Sequence, residues 1–278
     1  MDELKRLDKL RTAIDEVDNK LIELLSARAN IVLEVGKYKR DSKTPIYAPH
    51  REREVLDKIL AANKGPLSDK TIEAIYRELM SGSFQLEQPL NIAHLAPNGS
   101  FSHIAAIRHF GSSVECVGVP TIERVFREVA SGHCNYGLVP YENTTSGSIT
   151  ETLDAFKEHD VTIYAEALIN IRHCLLCNGP TKDIKHIASK PQVISQCRKW
   201  ITAMFPNVSI VETASSSQAV KLAKEDPHTA AIGSELAAHE HGVEIALENV
   251  QDSSETITRF LILAKESAQP SAEDKSTI

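Results

Sequence analysis

The sequence predicts a multidomain protein with an all-α segment of three helices over residues 1–90, followed by an α/β domain over residues 91–265. Two observations predict this arrangement. In the first segment, apolar residues recur every three or four positions, as in amphipathic helices. From Asn91 onward, short apolar runs alternate with helical stretches, as in a sheet covered by helices. Pro89 lies where the pattern changes.

The first segment opens with one long helix, predicted over residues 3–40. Its apolar positions are Leu4, Leu7, Leu10, Ile14, Val17, Leu21, Leu24, Ile31 and Val35. At about 1.5 Å per residue the helix exceeds ~50 Å. Such a length is unusual for a helix that packs only within its own chain, and it predicts pairing with a second chain.

Two shorter helices complete this segment. The turn-forming stretch 43–49 ends the first helix, and a second helix is predicted from about His50 to Asn63. Gly65-Pro66 ends that helix. Ser68 and Asp69 are predicted to cap a third helix, from about Lys70 to Glu87.

The second segment alternates strands and helices. The predicted strands are 92–95, 114–119, 136–140, 161–177, 184–189, 208–213, 229–233 and 260–264, and the predicted helices are 102–110, 122–131, 149–159, 193–204, 216–224 and 235–241. This alternation predicts a mostly parallel sheet with helices on both faces. Residues 266–278 have the composition of a linker or frayed end.

Composition and charge argue against several classes of function. The net charge of −7 argues against a nucleic-acid partner, and no apolar run approaches the ~18 residues of a membrane span. The charged N-terminus does not resemble a signal peptide, so we expect a cytoplasmic protein. Cys174 and Cys177 have the spacing of a metal site beside His173, but they lie in an apolar run without a second cysteine pair. We therefore expect buried strand cysteines, and no metal or other cofactor.

Cations recur along the first two helices. Arg11, Arg28, Lys39, Arg51 and Arg53 would ordinarily belong to solvated helix faces. Arg28 and Lys39 are eleven residues apart and share a face, whereas Arg11 lies roughly 25 Å from Arg28 along the axis. One helix cannot bring Arg11 to a site shared with the other two. An antiparallel helix from a second subunit could.

With these residues, the segment resembles the α-helical chorismate mutase family. The matching stretches, within residues 4–88, are Leu10-Arg11, Ile14-Asp15, Asp18, Leu24-Leu25, Arg28, Val35-Gly36-Lys37-Tyr38-Lys39, Arg51-Glu52-Arg53, Met80-Ser81-Gly82-Ser83 and Glu87. The resemblance implies an intertwined homodimer in which long helices pair antiparallel. It also implies that Arg28 and the second subunit's Arg11 bind the carboxylates of chorismate, and that Lys39 and Glu87 bond the ether oxygen.

The resemblance further implies that Arg51, Glu52 and Ser83 complete the wall of the site, with Glu52 on the ring hydroxyl. Two positions depart from the family pattern. Ala48 replaces a frequent aspartate, so a side-chain bond is missing there. Glu87 stands where some relatives have glutamine. A glutamate must carry a proton to donate to the ether oxygen, which predicts that mutase activity falls as pH rises.

In the α/β segment, polar residues repeatedly follow a strand and precede a helix. They lie at 95–103, 139–148, 189–197, 213–217 and 232–234. Each stretch alone is an ordinary turn or helix cap, although the first could bind a carboxylate at a helix start. No Gly-Lys-Ser/Thr follows, which excludes a P-loop. The ends of strands line the ligand crevice of an α/β sheet, so together the turns favour a binding site.

A Thr-Arg-Phe triplet opens the last strand. Thr258 offers a hydroxyl proton, Arg259 a fixed positive charge and Phe260 an apolar wall. Such a trio suits protonation of a leaving group on a small anion, although a triplet of this kind is more often structural. A hydroxyl is a weak acid in water, so it requires desolvation and a charged neighbour to act.

Together these motifs resemble the prephenate dehydratase family over residues 91–265. The matching stretches are Gly99-Ser100-Phe101-Ser102-His103, 140–147, His173-Cys174-Leu175-Leu176, Pro191-Gln192, Gln196-Cys197, Ser215-Ser216, Gly233-Ser234 and Thr258-Arg259-Phe260. The resemblance implies two α/β lobes, like a type II periplasmic binding protein, with the site between them. Thr258 would protonate the leaving hydroxyl of prephenate, and Arg259 would aid substrate binding. The substrate's carboxylates and carbonyl would be bound by Asn143, Thr144, Thr145, Ser189 and Gln196.

Ala96 and Lys190 depart from this family's glycine and histidine near the expected anion site. Many relatives continue into a regulatory domain of the ACT type. Asp274–Ile278 has the pattern of a beginning strand, which favours a shortened form over a naturally unregulated enzyme and predicts weak or no inhibition by phenylalanine.

The resulting prediction is a bifunctional enzyme of phenylalanine biosynthesis that acts on chorismate and then prephenate. Two alternatives stay open at this point. One is a mutase fused to a non-aromatising prephenate decarboxylase, whose relatives depart from the Thr-Arg-Phe and Glu-Asn-Thr patterns that are intact here. The other is a non-catalytic small-molecule-binding module, because two-lobed folds also bind solutes.

Overall fold

The computed structural model describes residues 2–42, 44–145, 147–253 and 255–268. The chain forms two compact units, Met1–Pro89 and Leu90–Ile278. The predicted fold class, a helical segment followed by an α/β domain, is confirmed. The expected linker and strand beyond residue 268 lie outside the described residues. No described helix combines the length and the apolar character that crossing a membrane requires.

The first unit contains helices α1 (Asp2–Ser42), α2 (Pro49–Ala62) and α3 (Asp69–Glu87). The hydroxyl of Ser68 accepts from the Thr71 backbone N–H at 3.2 Å and caps α3, as the sequence predicts. Ala48 precedes α2 and makes no side-chain cap bond, while Pro49 occupies the first turn, where its missing N–H has no cost.

The apolar surface of α1 is largely uncovered within this chain. Its core contact is the close approach to α3 at Gly36, where an added Cβ would lie 2.8 Å from the Cα of Glu87. Most of the apolar stripe faces solvent, with Leu24 exposed by 68% and Val17 by 62%. The other exposed members include Leu4, Leu7, Leu10, Ile14, Leu21 and Ile31. A stripe of this length is far larger than the scattered apolar residues of ordinary surfaces.

The second unit has two lobes, each built on one sheet. The first sheet has the order β2-β1-β3-β11-β5, with β4 paired to β3. Its elements are β1 (Asn91–Leu95), α4 (Phe101–Phe110), β2 (Glu115–Val119), α5 (Ile122–Ala130), β3 (Tyr136–Asn143), β4 (Gly147–Ser148), α6 (Thr150–Glu158), β5 (Thr162–Asn170) and β11 (Ile257–Ala264).

The second sheet has the order β10-β6-β9-β7-β8. Its elements are β6 (Cys174–Leu176), a 3-10 turn (Thr181–Asp183), β7 (His186–Ser189), α7 (Pro191–Gln196), α8 (Arg198–Met204), β8 (Ser209–Glu212), α9 (Ser216–Glu225), β9 (Thr229–Gly233), α10 (Glu235–His241) and β10 (Ile245–Leu247). Alternation puts Leu175 and Ile187 against α7 and α8, and Leu176 and Ala188 against α9 and α10. Helices therefore cover both faces, as predicted.

The chain passes between the two sheets twice, first between β5 and β6 and then between β10 and β11. The prediction of a mostly parallel sheet is wrong, because β11 runs antiparallel to β3 and β5, and β6 runs antiparallel to β9 and β10. The predicted strand 161–177 is likewise two strands, β5 and β6. The N–H of Ile171 bonds the carbonyl of Thr256, and the carbonyl of His173 accepts from Val250. Backbone hydrogen bonds thus join the first crossover to the second. The continuous apolar run over residues 161–177 does not show where the chain leaves one sheet for the other.

Candidate active sites

In the helical unit, Arg28 is held against α3. Its guanidinium Nη1 donates to the hydroxyl of Ser83 at 2.7 Å, and that hydroxyl donates to the carbonyl of Leu79 at 2.7 Å. Ser83 is buried, and Arg28 lies at the edge of the helix pair. The structure therefore brings together two of the residues that the sequence assigns to one site.

Lys39 and Glu87 form an ion pair beside them. The Nζ of Lys39 donates to Oε2 of Glu87 at 2.7 Å and to the carbonyl of Ile46 at 2.9 Å. Arg40 donates to the backbone carbonyl of Glu87, and Gly36 allows α1 and α3 to approach closely enough for these bonds. Glu87 therefore accepts from Lys39 in this arrangement. The expected loss of mutase activity with rising pH stays a prediction.

Among the described carboxyl groups of the helical unit, Glu52 has the most clearly shifted pKa. Burial raises its pKa from 4.5 to about 7, against the opposing charges of Arg77 and Lys39. Near neutral pH the side chain is therefore divided between its protonated and ionised forms. The proximity of Lys39 places Glu52 at the same end of the unit as the ion pair with Glu87.

Two of the other predicted cations, Arg11 and Arg51, are not brought to this cluster. Arg11 is exposed and contacts Asp8 on its own helix at 3.4 Å. Arg51 is exposed and pairs with Glu54 at 2.7 Å. Arg11 belongs to the N-terminal half of α1, whereas Arg28 and Lys39 lie in its C-terminal half. The arginine cluster expected of a dianion site is therefore incomplete within a single chain.

In the α/β unit, the central feature is a hydrogen-bonded pair at the end of β3. Asn143 lies opposite Thr258 of β11, and its Nδ2 donates to Oγ1 of Thr258 at 2.7 Å. The Oδ1 of Asn143 accepts from the Thr145 backbone N–H at 2.9 Å, which fixes the orientation of the amide. Thr258 consequently receives a hydrogen bond. Among the described residues, none accepts the hydroxyl proton of Thr258.

Two predicted hydroxyl ligands are engaged in structural bonds. The Oγ1 of Thr144 accepts from the Ile257 backbone N–H at 3.1 Å and donates to the carbonyl of Glu255 at 3.4 Å. It thereby holds the turn after β3 against the start of β11. The hydroxyl of Ser189 is fully buried and donates to the Ile232 carbonyl at 2.7 Å, joining β7 to β9. Both hydroxyls donate their protons to backbone carbonyls, so toward a further ligand they can act only as hydrogen-bond acceptors.

Arg259 and Phe260 are placed differently from Thr258. Successive side chains of a strand alternate between faces, so Arg259 projects from the face opposite Thr258. Its Nε and Nη2 each lie 2.7 Å from Oε2 of Glu166, and its guanidinium lies 5.4 Å from the centre of the Tyr141 ring. The structure thus does not bring Arg259 to the Asn143–Thr258 pair. Phe260 shares the face of Thr258 and is buried as core.

The turn between β1 and α4 joins the lobes. The hydroxyl of Ser234, before α10, donates to the Gly99 carbonyl at 2.6 Å. Gly99 has φ of +77°, and an added Cβ would lie 2.8 Å from the Cα of Ala237. The N–H of Gly99 donates to Nδ1 of His103 at 3.0 Å, so it is not free for a carboxylate. The turn serves first as a contact between lobes. The departures Ala96 and Lys190 make no side-chain hydrogen bond among the described contacts.

His173 is a polar residue that the sequence reasoning did not assign to the site. It lies in the first crossover and is 1% exposed, and its Nε2 lies 2.9 Å from Oε1 of Gln196. Gln196 is the last residue of α7 in the second lobe, and its role as a substrate ligand stays a prediction. The sequence signal is the stretch His173-Cys174-Leu175-Leu176, which matches the prephenate dehydratase family but assigns no role to the histidine. Within the described chain no cluster of three His, Cys, Asp or Glu residues could hold a metal ion.

Family comparisons agree with this division of the chain. The prephenate dehydratase family model matches residues 92–268, and the chorismate mutase type II model matches residues 10–88. The chain belongs to the bifunctional chorismate mutase/prephenate dehydratase family. A bifunctional chorismate mutase/prephenate dehydratase from Stutzerimonas stutzeri is 40% identical over all of this chain and 78% of its own length. Its counterpart from Pseudomonas aeruginosa is 40% identical over 98% of this chain and 77% of its own length.

A solved structure supports the fold of the α/β unit. The prephenate dehydratase of Arthrobacter aurescens, in complex with L-Phe, is 28% identical and superimposes with a TM-score of 0.61. The match covers 66% of this chain and 63% of that one. These comparisons do not favour the alternative of a decarboxylase or of a non-catalytic binding module.

Proposed function

We propose that this enzyme rearranges chorismate to prephenate in the helical unit, and converts prephenate to phenylpyruvate, carbon dioxide and water in the α/β unit. The observation that carries the proposal is the buried Asn143–Thr258 hydrogen bond, in which Thr258 accepts and no described residue takes the threonine proton. The separate ionic cluster of Lys39 and Glu87 supports the first step.

In the dehydratase step, the Thr258 hydroxyl protonates the leaving ring hydroxyl of prephenate. The bond from the ring to its carboxylate breaks, and its electron pair enters the ring as the carbon–oxygen bond breaks. The products are an aromatic ring, carbon dioxide and water, and solvent returns the proton to Thr258. Negative charge develops on Oγ1 of Thr258 during the transfer, and the Nδ2 of Asn143 stabilises it from 2.7 Å.

Substrate contacts in this step come from groups of both lobes. We propose that the amide of Gln196 and the hydroxyl of Thr145 bind the carbonyl and carboxylates, because the backbone N–H groups of Thr144 and Thr145 already donate to the Ile257 carbonyl and to Oδ1 of Asn143. Thr144 and Ser189 contribute mainly by holding the ends of β11 and β7 in place. Arg259 acts from the opposite face, where its bonds to Glu166 hold β11 to β5.

The mutase step needs only positioned charge, because bonds form and break within one molecule. Arg28 binds one carboxylate of chorismate, and Lys39 and Glu87 face the ether oxygen, where negative charge grows as the bond lengthens. Glu52 accepts from the ring hydroxyl, and Arg51 and Ser83 complete the wall. No covalent intermediate and no metal is required by this chemistry.

We propose further that the enzyme is a cytoplasmic homodimer through α1. The exposed apolar stripe of α1 supports pairing, and an antiparallel second copy would carry its Arg11 toward Arg28 of the first. The test mixes inactive Arg11→Ala and Arg28→Ala chains. If each site takes one arginine from each subunit, reassociated mixtures recover about a quarter of wild-type mutase activity. No recovery on mixing would contradict shared sites.

Thr258→Ala tests the dehydratase assignment. We expect phenylpyruvate formation to fall by at least about 1,000-fold, while chorismate is consumed at the wild-type rate. Thr258→Ser, which keeps the hydroxyl, should retain part of the activity. Equal loss of both activities in Thr258→Ala would refute separate sites, and full phenylpyruvate formation would refute the role of the hydroxyl.

A further inference from the structure

His173 has a buried imidazole in the crossover that connects the lobes, and its two nitrogens differ. The Nε2 lies 2.9 Å from Oε1 of Gln196. The Nδ1 is buried and has no hydrogen-bond partner among the residues that the structure describes. A buried nitrogen without a hydrogen bond lowers the stability of the folded protein. We therefore expect His173 to have a role that offsets this loss of stability.

The contact fixes the tautomer of the His173 imidazole. An amide oxygen can only accept, so Nε2 of His173 carries the hydrogen and Nδ1 is the bare lone pair of a neutral imidazole. Burial lowers the pKa of His173, which keeps the ring neutral. With Oε1 of Gln196 turned to the imidazole, the amide NH2 of Gln196 is directed elsewhere. Gln196 is only half-buried, and no described residue accepts from that NH2.

Neighbouring groups fix the position of the ring. The Phe101 ring meets it edge-on, with centroids 5.2 Å apart. The His173 backbone N–H donates to Oε1 of Gln251 at 2.9 Å, and the His173 carbonyl accepts from Val250 at 2.9 Å. The imidazole is therefore held by the first lobe through Phe101 and by the second crossover through Val250 and Gln251.

Gln196 is anchored by the same second crossover, because its carbonyl accepts from the Asp252 backbone N–H at 2.8 Å. The backbone of Gln196 is thus fixed independently of its side chain. The imidazole of His173 supplies the remaining constraint, which is the rotation of the terminal amide. Without a donor at Nε2, the amide would be free to turn its oxygen toward a substrate oxygen.

We infer that His173 is a positioning residue of the dehydratase reaction, which holds the Gln196 amide so that its NH2 faces a carbonyl or carboxylate oxygen of prephenate. This inference rests on the proposed function, in which Gln196 binds the substrate. His173 itself need not contact the substrate. Its removal should weaken binding more than it slows the chemical step.

Two substitutions of His173 separate the hydrogen bond from packing. In His173→Gln the new amide nitrogen lies near the place of Nε2 and can still donate to Gln196, whereas in His173→Asn it lies near the place of Nδ1 and cannot. We expect His173→Asn to raise the KM for prephenate about tenfold, with kcat changed less than about threefold. His173→Gln should recover most of that loss. Chorismate mutase activity, measured on each sample, should be unchanged and so report intact protein.

A double-variant cycle decides whether the effect acts through Gln196. Gln196→Leu alone should raise the KM for prephenate about tenfold, and adding His173→Asn should raise it no further, because the amide to be positioned is gone. Additive losses of about 100-fold would overturn the inference, as would equal KM values for His173→Gln and His173→Asn. A Gln196→Leu enzyme with wild-type KM would overturn the substrate-binding role of Gln196 and the inference with it. Wild-type KM in His173→Asn alone would overturn only the inference.

Discussion

The helical unit and the α/β unit carry different types of polar side chain, which suit different reactions. The cluster on α1 and α3 is ionic, with Lys39 2.7 Å from Glu87 and Arg28 bonded to Ser83. The pair on β3 and β11 is neutral, with an amide donating to a hydroxyl. A rearrangement that redistributes charge on a dianion calls for fixed cations. An elimination that needs one proton calls for one oriented hydroxyl.

The two units also differ in how much of each site one chain supplies. The Asn143–Thr258 pair, its orienting N–H from Thr145 and the Gln196 amide all come from one chain. The ionic cluster lacks the second carboxylate-binding arginine that the resemblance implies, because Arg11 lies far along α1 and contacts Asp8 in the described contacts. We therefore expect the mutase site to depend on the proposed pairing of α1, and the dehydratase site not to depend on it.

Lys39→Ala should produce the largest effect in the helical unit. The substitution removes the donor that we propose faces the ether oxygen and breaks the ion pair with Glu87, so we expect mutase kcat/KM to fall about 1,000-fold. Lys37→Ala, which removes an exposed lysine of the same helix, is the matched control and should stay near wild type. Dehydration of supplied prephenate should be unaffected. A similar loss in both lysine variants would mean that net charge, and not the ion pair, is responsible.

Asn143→Asp should reduce the dehydratase kcat about 100-fold, with little change in shape. A carboxylate cannot donate to Thr258 and would accept the threonine proton, which withdraws it from the substrate. Asn170→Asp makes the same change at an exposed position of β5 and serves as the control. Steady-state kinetics with prephenate measure both variants. Retention of wild-type kcat in Asn143→Asp would show that the direction of this hydrogen bond is unimportant.

Glu52 should give the mutase a pH dependence near neutrality. Its pKa of about 7 means that the ionised acceptor of the ring hydroxyl accumulates as pH rises, so kcat/KM should increase about tenfold between about pH 6 and pH 8. Because burial raises this pKa in the folded state, ionisation of Glu52 should also lower stability as pH rises from about 4.5 through 7. The dependence expected from Glu87 has the opposite sign. Glu52→Gln should remove the rise and expose any fall due to Glu87, whereas an unchanged profile would contradict the assignment.

Arg259→Gln should produce the smallest effect on catalysis. The side chain lies on the face opposite Thr258 and is paired with Glu166, so we expect the free energy of unfolding to fall by about 1 kcal/mol. The KM for prephenate should change less than about threefold. Chemical denaturation and kinetics on the same preparation measure both quantities. A tenfold rise in KM without loss of stability would instead support the direct substrate contact that the resemblance implies.

The sequence predicted the helical unit closely, because helical periodicity extends over many residues and the caps are local. The α1, α2 and α3 boundaries lie within two residues of those predicted. In the α/β unit, the apolar run 161–177 could not reveal where the chain leaves one sheet for the other. That break depends on pairing with residues 250 and 256, which are far away in sequence.

The site residues also differ in whether the local sequence or a long-range contact determines their role. Lys39 with Glu87, and Asn143 with Thr258, are identified by motif and brought together by the fold. The opposite placement of Arg259 follows from strand alternation, and the motif alone does not disclose it. His173 was visible only as part of a motif, since its contact with Gln196 is created by the crossover between lobes.

The central claim is that two independent sites act in sequence on one substrate, and a product-resolved assay tests it most directly. Wild-type enzyme, Thr258→Ala and Lys39→Ala are each supplied with chorismate and, separately, with prephenate, and both products are quantified over time. We predict that Thr258→Ala accumulates prephenate without phenylpyruvate, while Lys39→Ala converts supplied prephenate at the wild-type rate. Parallel loss of both conversions in either variant would contradict the claim.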